Sequence, residues 1–281
     1  MTISVRHFHK RAIFGTRTIS GAQRTPLSTA PACILLIQTQ DTGAGPKPSA
    51  AEVVAMFNAD GSEANLGYGD YLVVAQVKSA ASWDQLDPHA AFGAFTYERV
   101  GTGDGTGPAQ NPNRELDLAE ISRWGYAGPL LPPSPPAAPP ASCLTPRGNP
   151  LIDPRLCTGN SQFTLQIWNK APDNLHRYSI NAGVSTLTLV MQWHGANQPV
   201  SFAQYDGAWN FGNLSQATPS NQWTTTAADN PYIPATACER FHLNFWMGDY
   251  PDAAGGFNPP PATIPQEVVV TDFAFQPFPP Q

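Results

Sequence analysis

Residues 115–120 read Glu-Leu-Asp-Leu-Ala-Glu, so three carboxylates fall within six positions and are interleaved with aliphatic side chains. Successive side chains of a strand point to opposite faces, so Glu115 and Asp117 share one face and Glu120 falls on the other. A β-bulge adds one residue and corrects this parity. With a bulge near Ala119, Glu115, Asp117, Glu120, Ser122 and Trp124 point one way, and Leu116, Leu118 and Ile121 point into a core. Like charges crowded on one strand face repel, which argues that the ladder is used. It suits glycoside hydrolysis with retention, where one carboxylate is nucleophile and a second carboxyl is acid/base, about 5–5.5 Å away. Same-face neighbours lie about 6.5–7 Å apart at Cα, and side-chain lean shortens the gap. The middle acid sets the charge state of the others through close coupling. The plain alternative for three acids alone is a solvent-facing acidic strand.

The elements that must position these acids read as strands. Leu72–Val77, Phe163–Trp168, Ser185–Trp193 and Val268–Phe275 are short β-rich stretches set between Gly, Pro, Asn and Asp. The best helical candidate, Ala50–Phe57, is short. Strands separated by turns, with no helical period between them, imply a sandwich or barrel. A chain of 281 residues suffices for one large all-β domain. The formal charge of −6 argues against a nucleic-acid partner. No apolar run approaches the roughly 18–20 residues of a membrane span.

The motif Glu115–Glu120 resembles the signature of family 16 glycoside hydrolases in its bulged, laminarinase-like form. Other stretches resemble family strands in the same order: 66–78 (LGYGDYLVVAQVK), 91–98 (AFGAFTYE), 174–178 (NLHRY), 241–248 (FHLNFWMG) and 267–275 (EVVVTDFAF). The likeness covers about residues 50–281, and under it Ala50–Phe57 aligns with a strand. Asn113-Arg114 stand where the family has an aromatic residue and a glycine. The resemblance implies a two-sheet antiparallel β-sandwich, a concanavalin A-like jelly roll with a concave cleft. It implies a retaining, endo-acting hydrolase of a β-linked polysaccharide, of β-glucan or galactan type. Glu115 is then the nucleophile, Asp117 the assisting carboxylate and Glu120 the acid/base. It implies no cofactor or metal, with a structural calcium left open, a monomer, and a secreted or periplasmic location. The alternative is a non-catalytic carbohydrate-binding jelly roll.

Sugars present apolar C–H faces that stack on indole rings. Trp124 is a candidate platform because the bulged register puts it beside the acids. Trp168 and Trp246 follow, on strands that line the cleft in the resembled family, whereas Trp193 is expected to pack inside. His176 is a candidate hydrogen-bonding group, although a lone strand histidine is more often structural, and His242 is weaker. Asn244 is a candidate to face substrate.

Residues 1–30 are basic, with Arg6, Lys10, Arg11, Arg17 and Arg24, and lack the apolar core of a signal peptide. They read as a disordered tail ahead of one domain over 31–281. Residues 126–160 form a proline-rich insertion that must run extended on the surface. Cys143 and Cys157 bracket part of it and are expected to bond; Cys33 and Cys238 remain. Without Cys-x-x-Cys spacing, four cysteines make a zinc site unexpected.

Overall fold

The computed structural model describes residues 2–5, 33–37, 39–41, 46–48, 51–57, 66–87, 90–98, 115–122, 160–165, 175–236, 239–247 and 265–278. Two antiparallel sheets pack face to face. The larger has seven strands in the order β1 (Thr2–Val5), β5 (Ala51–Phe57), β14 (Glu239–Met247), β7 (Ala90–Glu98), β8 (Glu115–Ser122), β9 (Ser161–Leu165) and β10 (Leu175–Tyr178). The smaller has six, in the order β13 (Asn221–Thr224), β12 (Val200–Asp206), β11 (Thr186–Trp193), β6 (Gly69–Val77), β15 (Gln266–Pro277) and β2 (Cys33–Ile37). A hairpin of β3 (Thr39–Asp41) and β4 (Pro46–Pro48) stands apart. The chain crosses between sheets from β5 to β6 to β7 and again from β13 to β14 to β15. This is an all-β, two-sheet antiparallel sandwich of jelly-roll type. Among the described residues no helix is long and apolar enough to cross a membrane.

Alternation builds the core. Tyr71, Val73, Ala75 and Val77 of β6 face Phe92, Leu116, Phe163 and Phe245 of the larger sheet within one apolar cluster. Trp83, in a short 3-10 turn (Trp83–Gln85), closes one end and lies 5.5 Å from Phe92, ring centre to ring centre. Each fully buried aromatic of this kind contributes about 1.5–3 kcal/mol relative to exposure. Trp193 is wholly buried, as its strand parity predicts, and meets Tyr68 edge-on at 5.0 Å. In the smaller sheet β15 pairs with β2 and with β6, and shifts register against β6 between Val270 and Asp272.

One sequence expectation holds here and one changes. Residues 51–57 are a strand, held between β1 and β14; the adjacent Val53 and Val54 favour it, since β-branched side chains fit a pleated surface. Residues 1–30 were expected to be disordered, yet Thr2–Val5 pair with β5 as an edge strand. Thr-Ile-Ser-Val is rich in β-branched residues, and β5 offers an unpaired edge. Residues 6–32 lie outside the described residues. So do residues 126–159 of the insertion, with Cys143 and Cys157, and also Cys238.

Candidate active site

β8 carries the acids, and its register contains a bulge. Against β7, Glu115 faces Tyr97, Asp117 faces Phe95, Ala119 faces Ala94 and Glu120 faces Gly93, leaving Leu118 without an opposite residue. Against β9, Asp117 faces Thr164 and Glu120 faces Gln162, so Leu118 and Ala119 together span the place of Phe163. Both residues of the bulge pack inward with Leu116 and Ile121. The local reason is size. Two successive inward side chains crowd a pleat, and alanine makes the second one small. Glu115, Asp117 and Glu120 therefore all lie on the outer face of the larger sheet.

Opposed residues share a face, so the registers lay out rows across that face. One row runs Glu52, Asn244, Gly93, Glu120, Gln162, Arg177 over six strands. The next runs Val54, His242, Phe95, Asp117, Thr164. A third contains Arg240, Tyr97 and Glu115. Glycine at 93 keeps the first row open: a Cβ there would come 2.3 Å from Asn244 Oδ1.

The acids sit in a poorly solvated place. Asp117 is only 3% exposed. Burial pushes the Glu115 carboxyl up to about 7; a hydrogen bond with Asp117 works against this, and the nearby charge of Glu120 adds to it. Burial also raises Glu120, opposed by the Arg177 guanidinium and by a hydrogen bond from Gln162. That bond runs from Gln162 Nε2 to Glu120 Oε2 at 2.8 Å. Arg177 Nη1 donates to Gln162 Oε1 at 2.9 Å. On the other flank His242 Nδ1 meets Glu52 Oε1 at 2.9 Å, and its ring stacks on Phe95 at 4.9 Å.

The sequence candidates divide as follows. Glu115, Asp117, Glu120, Asn244 and Trp246 share the outer face, Trp246 opposite Ala91. Trp124 and Trp168 lie outside the described residues. His176 faces the other way: it is opposite Phe163, a core residue, and stacks between Phe163 and Trp223 at 6.3 and 6.0 Å. Burial lowers its pKa. The expectation that it reaches substrate is therefore corrected; its neighbour Arg177 takes the outer face. His242 shares the parity of Asn244 and Trp246 and lies with them on the outer face. Gln162 and Arg177 were missed, and nothing in SQFTL or NLHRY marks them without the β9–β10 register.

No protein-family model matches this chain, and no curated protein sequence does. Solved structures similar to it include the laminarinase catalytic domain from Thermotoga maritima MSB8, at 12% identity over 87% of this chain and 76% of that one, TM-score 0.46. An endo-1,3-beta-glucanase from Streptomyces sioyaensis matches at 15% identity over 86% and 74%, TM-score 0.43. Winged bean acidic lectin matches at 8% identity over 84% of each chain, TM-score 0.37. Hydrolases and lectins thus share this likeness at low identity, and the function is argued below from the side chains instead.

Proposed function

We propose that this protein is a retaining, endo-acting glycoside hydrolase of a β-linked polysaccharide. The observation that carries the reading is the bulge at Leu118–Ala119, which brings Glu120 to the face of Glu115 and Asp117. An acidic surface strand needs no such correction, and a buried group of acids costs stability, which makes it a candidate for function. The first row crosses six strands, about 24 Å at a strand spacing near 4.8 Å. That width suits a chain of sugars more than a single one.

In this reading Glu120 donates its proton to the glycosidic oxygen while the Glu115 carboxylate attacks the anomeric carbon. The glycosidic bond breaks, the first product leaves with the proton, and a glycosyl ester forms on Glu115. Glu120, now ionised, takes a proton from water, and the resulting nucleophile releases the sugar from Glu115. A hydrogen bond between two carboxyl groups requires a proton, because a carboxylate only accepts. When Glu115 attacks, the proton of the Glu115–Asp117 bond must therefore reside on Asp117. Trp246 is the proposed stacking platform among the described residues, with Trp124 and Trp168 as further candidates, and Asn244 is proposed to bind a sugar hydroxyl. Substrate of this kind lies outside the cell, so secretion belongs to the same reading.

The test is product release from laminarin, lichenan, agarose, carrageenan and xyloglucan. Glu115→Gln should abolish turnover and keep the fold, since an amide cannot form the ester. Saccharide binding with no cleavage in the whole panel would replace the enzyme with a carbohydrate-binding jelly roll. Cleavage by Glu115→Gln at the wild-type rate would remove the acids from the active site.

A further inference from the structure

We propose that Gln162 and Arg177 form a positioning relay that holds Glu120 and fixes which of its two oxygens carries the proton. This rests on the reading above that Glu120 is the proton donor. The three residues are opposed across β8, β9 and β10 on one face. Two hydrogen bonds link them, from Arg177 Nη1 to Gln162 Oε1 at 2.9 Å and from Gln162 Nε2 to Glu120 Oε2 at 2.8 Å.

The relay has only one polarity. Guanidinium donates and never accepts, so the Gln162 oxygen must face Arg177. The amide nitrogen is thereby committed to Glu120, and it too only donates. A glutamine alone could turn over and offer its oxygen; the arginine removes that choice. Glu120 Oε2 thus receives a hydrogen in every turnover state, which makes it the poorer site for a second one. The proton of the acid form resides on Oε1, and Oε1 is the oxygen that delivers it. Gln162 is 7% exposed, so little water competes for either bond.

The charge consequence follows. On its own strand Glu120 has the acids Glu115 and Asp117. β7 presents Gly93 opposite it, and β9 presents Gln162 and Thr164, all neutral. β14 contributes Arg240 and His242, the latter joined to Glu52 of β5. Arg177 on β10 is the cation in its row, and the amide passes part of that field to Oε2. Arg177 then favours the ionised Glu120 that the second step requires.

The test is titration of Glu120 by carbon NMR in protein labelled at the glutamate carboxyl, with Glu120→Gln assigning the resonance. Arg177→Met and Gln162→Met should each raise the Glu120 midpoint, by about one unit for the arginine. Arg177→Lys should recover much of the shift, because it restores the charge. With an active substrate, Gln162→Met should lower kcat about 10–100-fold at nearly constant KM, and both Met variants should move the basic limb of the rate profile upward. Folded Met variants whose Glu120 titrates as in wild type overturn the relay. If no substrate is cleaved but the midpoints move as stated, the relay stands as a device for positioning Glu120 and the hydrolase reading fails alone. If turnover is found and the midpoints stay fixed, the hydrolase stands and the relay fails.

Discussion

Gly93 leaves vacant the space into which Asn244 places its amide: a Cβ on residue 93 would stand 2.3 Å from Asn244 Oδ1 and 3.1 Å from its Cγ. The two are opposed on β7 and β14, and Glu120 is opposed to Gly93 on the other side. Asn244 is thus one empty position away from the proposed acid. Gly93→Ala should push the amide aside, at a cost of about 1–2 kcal/mol. Gly93→Ala combined with Asn244→Ala should be less destabilised than the sum of the single changes, as expected for residues in contact. Thermal unfolding of the four proteins checks this. Additive losses would mean that the two side-chain positions do not compete.

The bulge should act through parity, by holding three acids on one face when two of them are three residues apart. Deleting Ala119 removes the extra residue and leaves Asp117 and Glu120 two positions apart, so plain alternation keeps Glu120 on the outer face and Ile121 inward. The expected result is a folded protein that retains turnover, with a stability change of about 1–3 kcal/mol from the lost inward methyl group and the re-spaced pairing. Leu118→Ala keeps the residue count and creates a cavity instead. It should cost about 2–5 kcal/mol and leave turnover in the folded fraction. Circular dichroism with activity per folded molecule checks both. A folded but inactive deletion protein would show that the extra residue does more than set the face of Glu120.

Much of this was legible in the chain because strand parity is local. Leu72–Val77 and Ser185–Trp193 alternate or run apolar, and both became central strands of the smaller sheet. The bulge was legible too, since three acids and three aliphatic residues sort onto two faces only if one residue is added. What stayed hidden depends on pairing between strands. Whether His176 or Arg177 meets the acids is decided by the register that sets Arg177 against Gln162, and five residues of sequence carry no sign of it. Residues 51–57 were ambiguous because a seven-residue segment shows too little period to tell a short helix from a strand.

Stability should depend on pH through Glu115. Burial raises its carboxyl from 4.5 to about 7 in the folded protein. Between those values the folded state holds a proton that the unfolded chain has released. The contribution is full below about pH 4.5 and is lost as pH rises through 7. Glu115→Gln cannot release that proton. Its stability relative to wild type should therefore rise between pH 4.5 and 8, by about 1–3 kcal/mol. Urea unfolding of both proteins across this range checks it. A constant difference would show that Glu115 titrates alike in the folded and unfolded chains.

Two tryptophans should respond in opposite ways. Trp193 is fully buried against the core, and Trp193→Ala should cost about 3–5 kcal/mol. Trp246 lies half-buried on the outer face in the series His242, Asn244, Trp246. Trp246→Ala should cost less stability and weaken saccharide affinity about tenfold, the effect of losing an apolar stacking partner. Calorimetric titration with an oligosaccharide that the wild type binds decides the second point. Undiminished affinity in Trp246→Ala would take that residue out of the binding face.

His176 offers the sharpest contrast between a motif and a register. Its ring packs with Phe163, Tyr178 and Trp223 at 6.3, 6.2 and 6.0 Å, on the side of β10 away from the acids. Burial lowers its pKa, so the ring in this stack is the neutral, flat form that a phenyl group can replace. His176→Phe should leave kcat/KM within about twofold of wild type and shift stability by less than about 1.5 kcal/mol, as for a volume-conserving exchange. Below pH 6 the variant should gain on wild type. A histidine whose folded pKa is depressed resists the proton that the unfolded chain takes up, so wild type loses stability as pH falls through the unfolded value near 6.5. Turnover measured beside unfolding at pH 5 and pH 7 tests both parts. A large loss of kcat/KM in a stably folded His176→Phe would place the histidine in the reaction and overturn the face assigned to it by its pairing with Phe163.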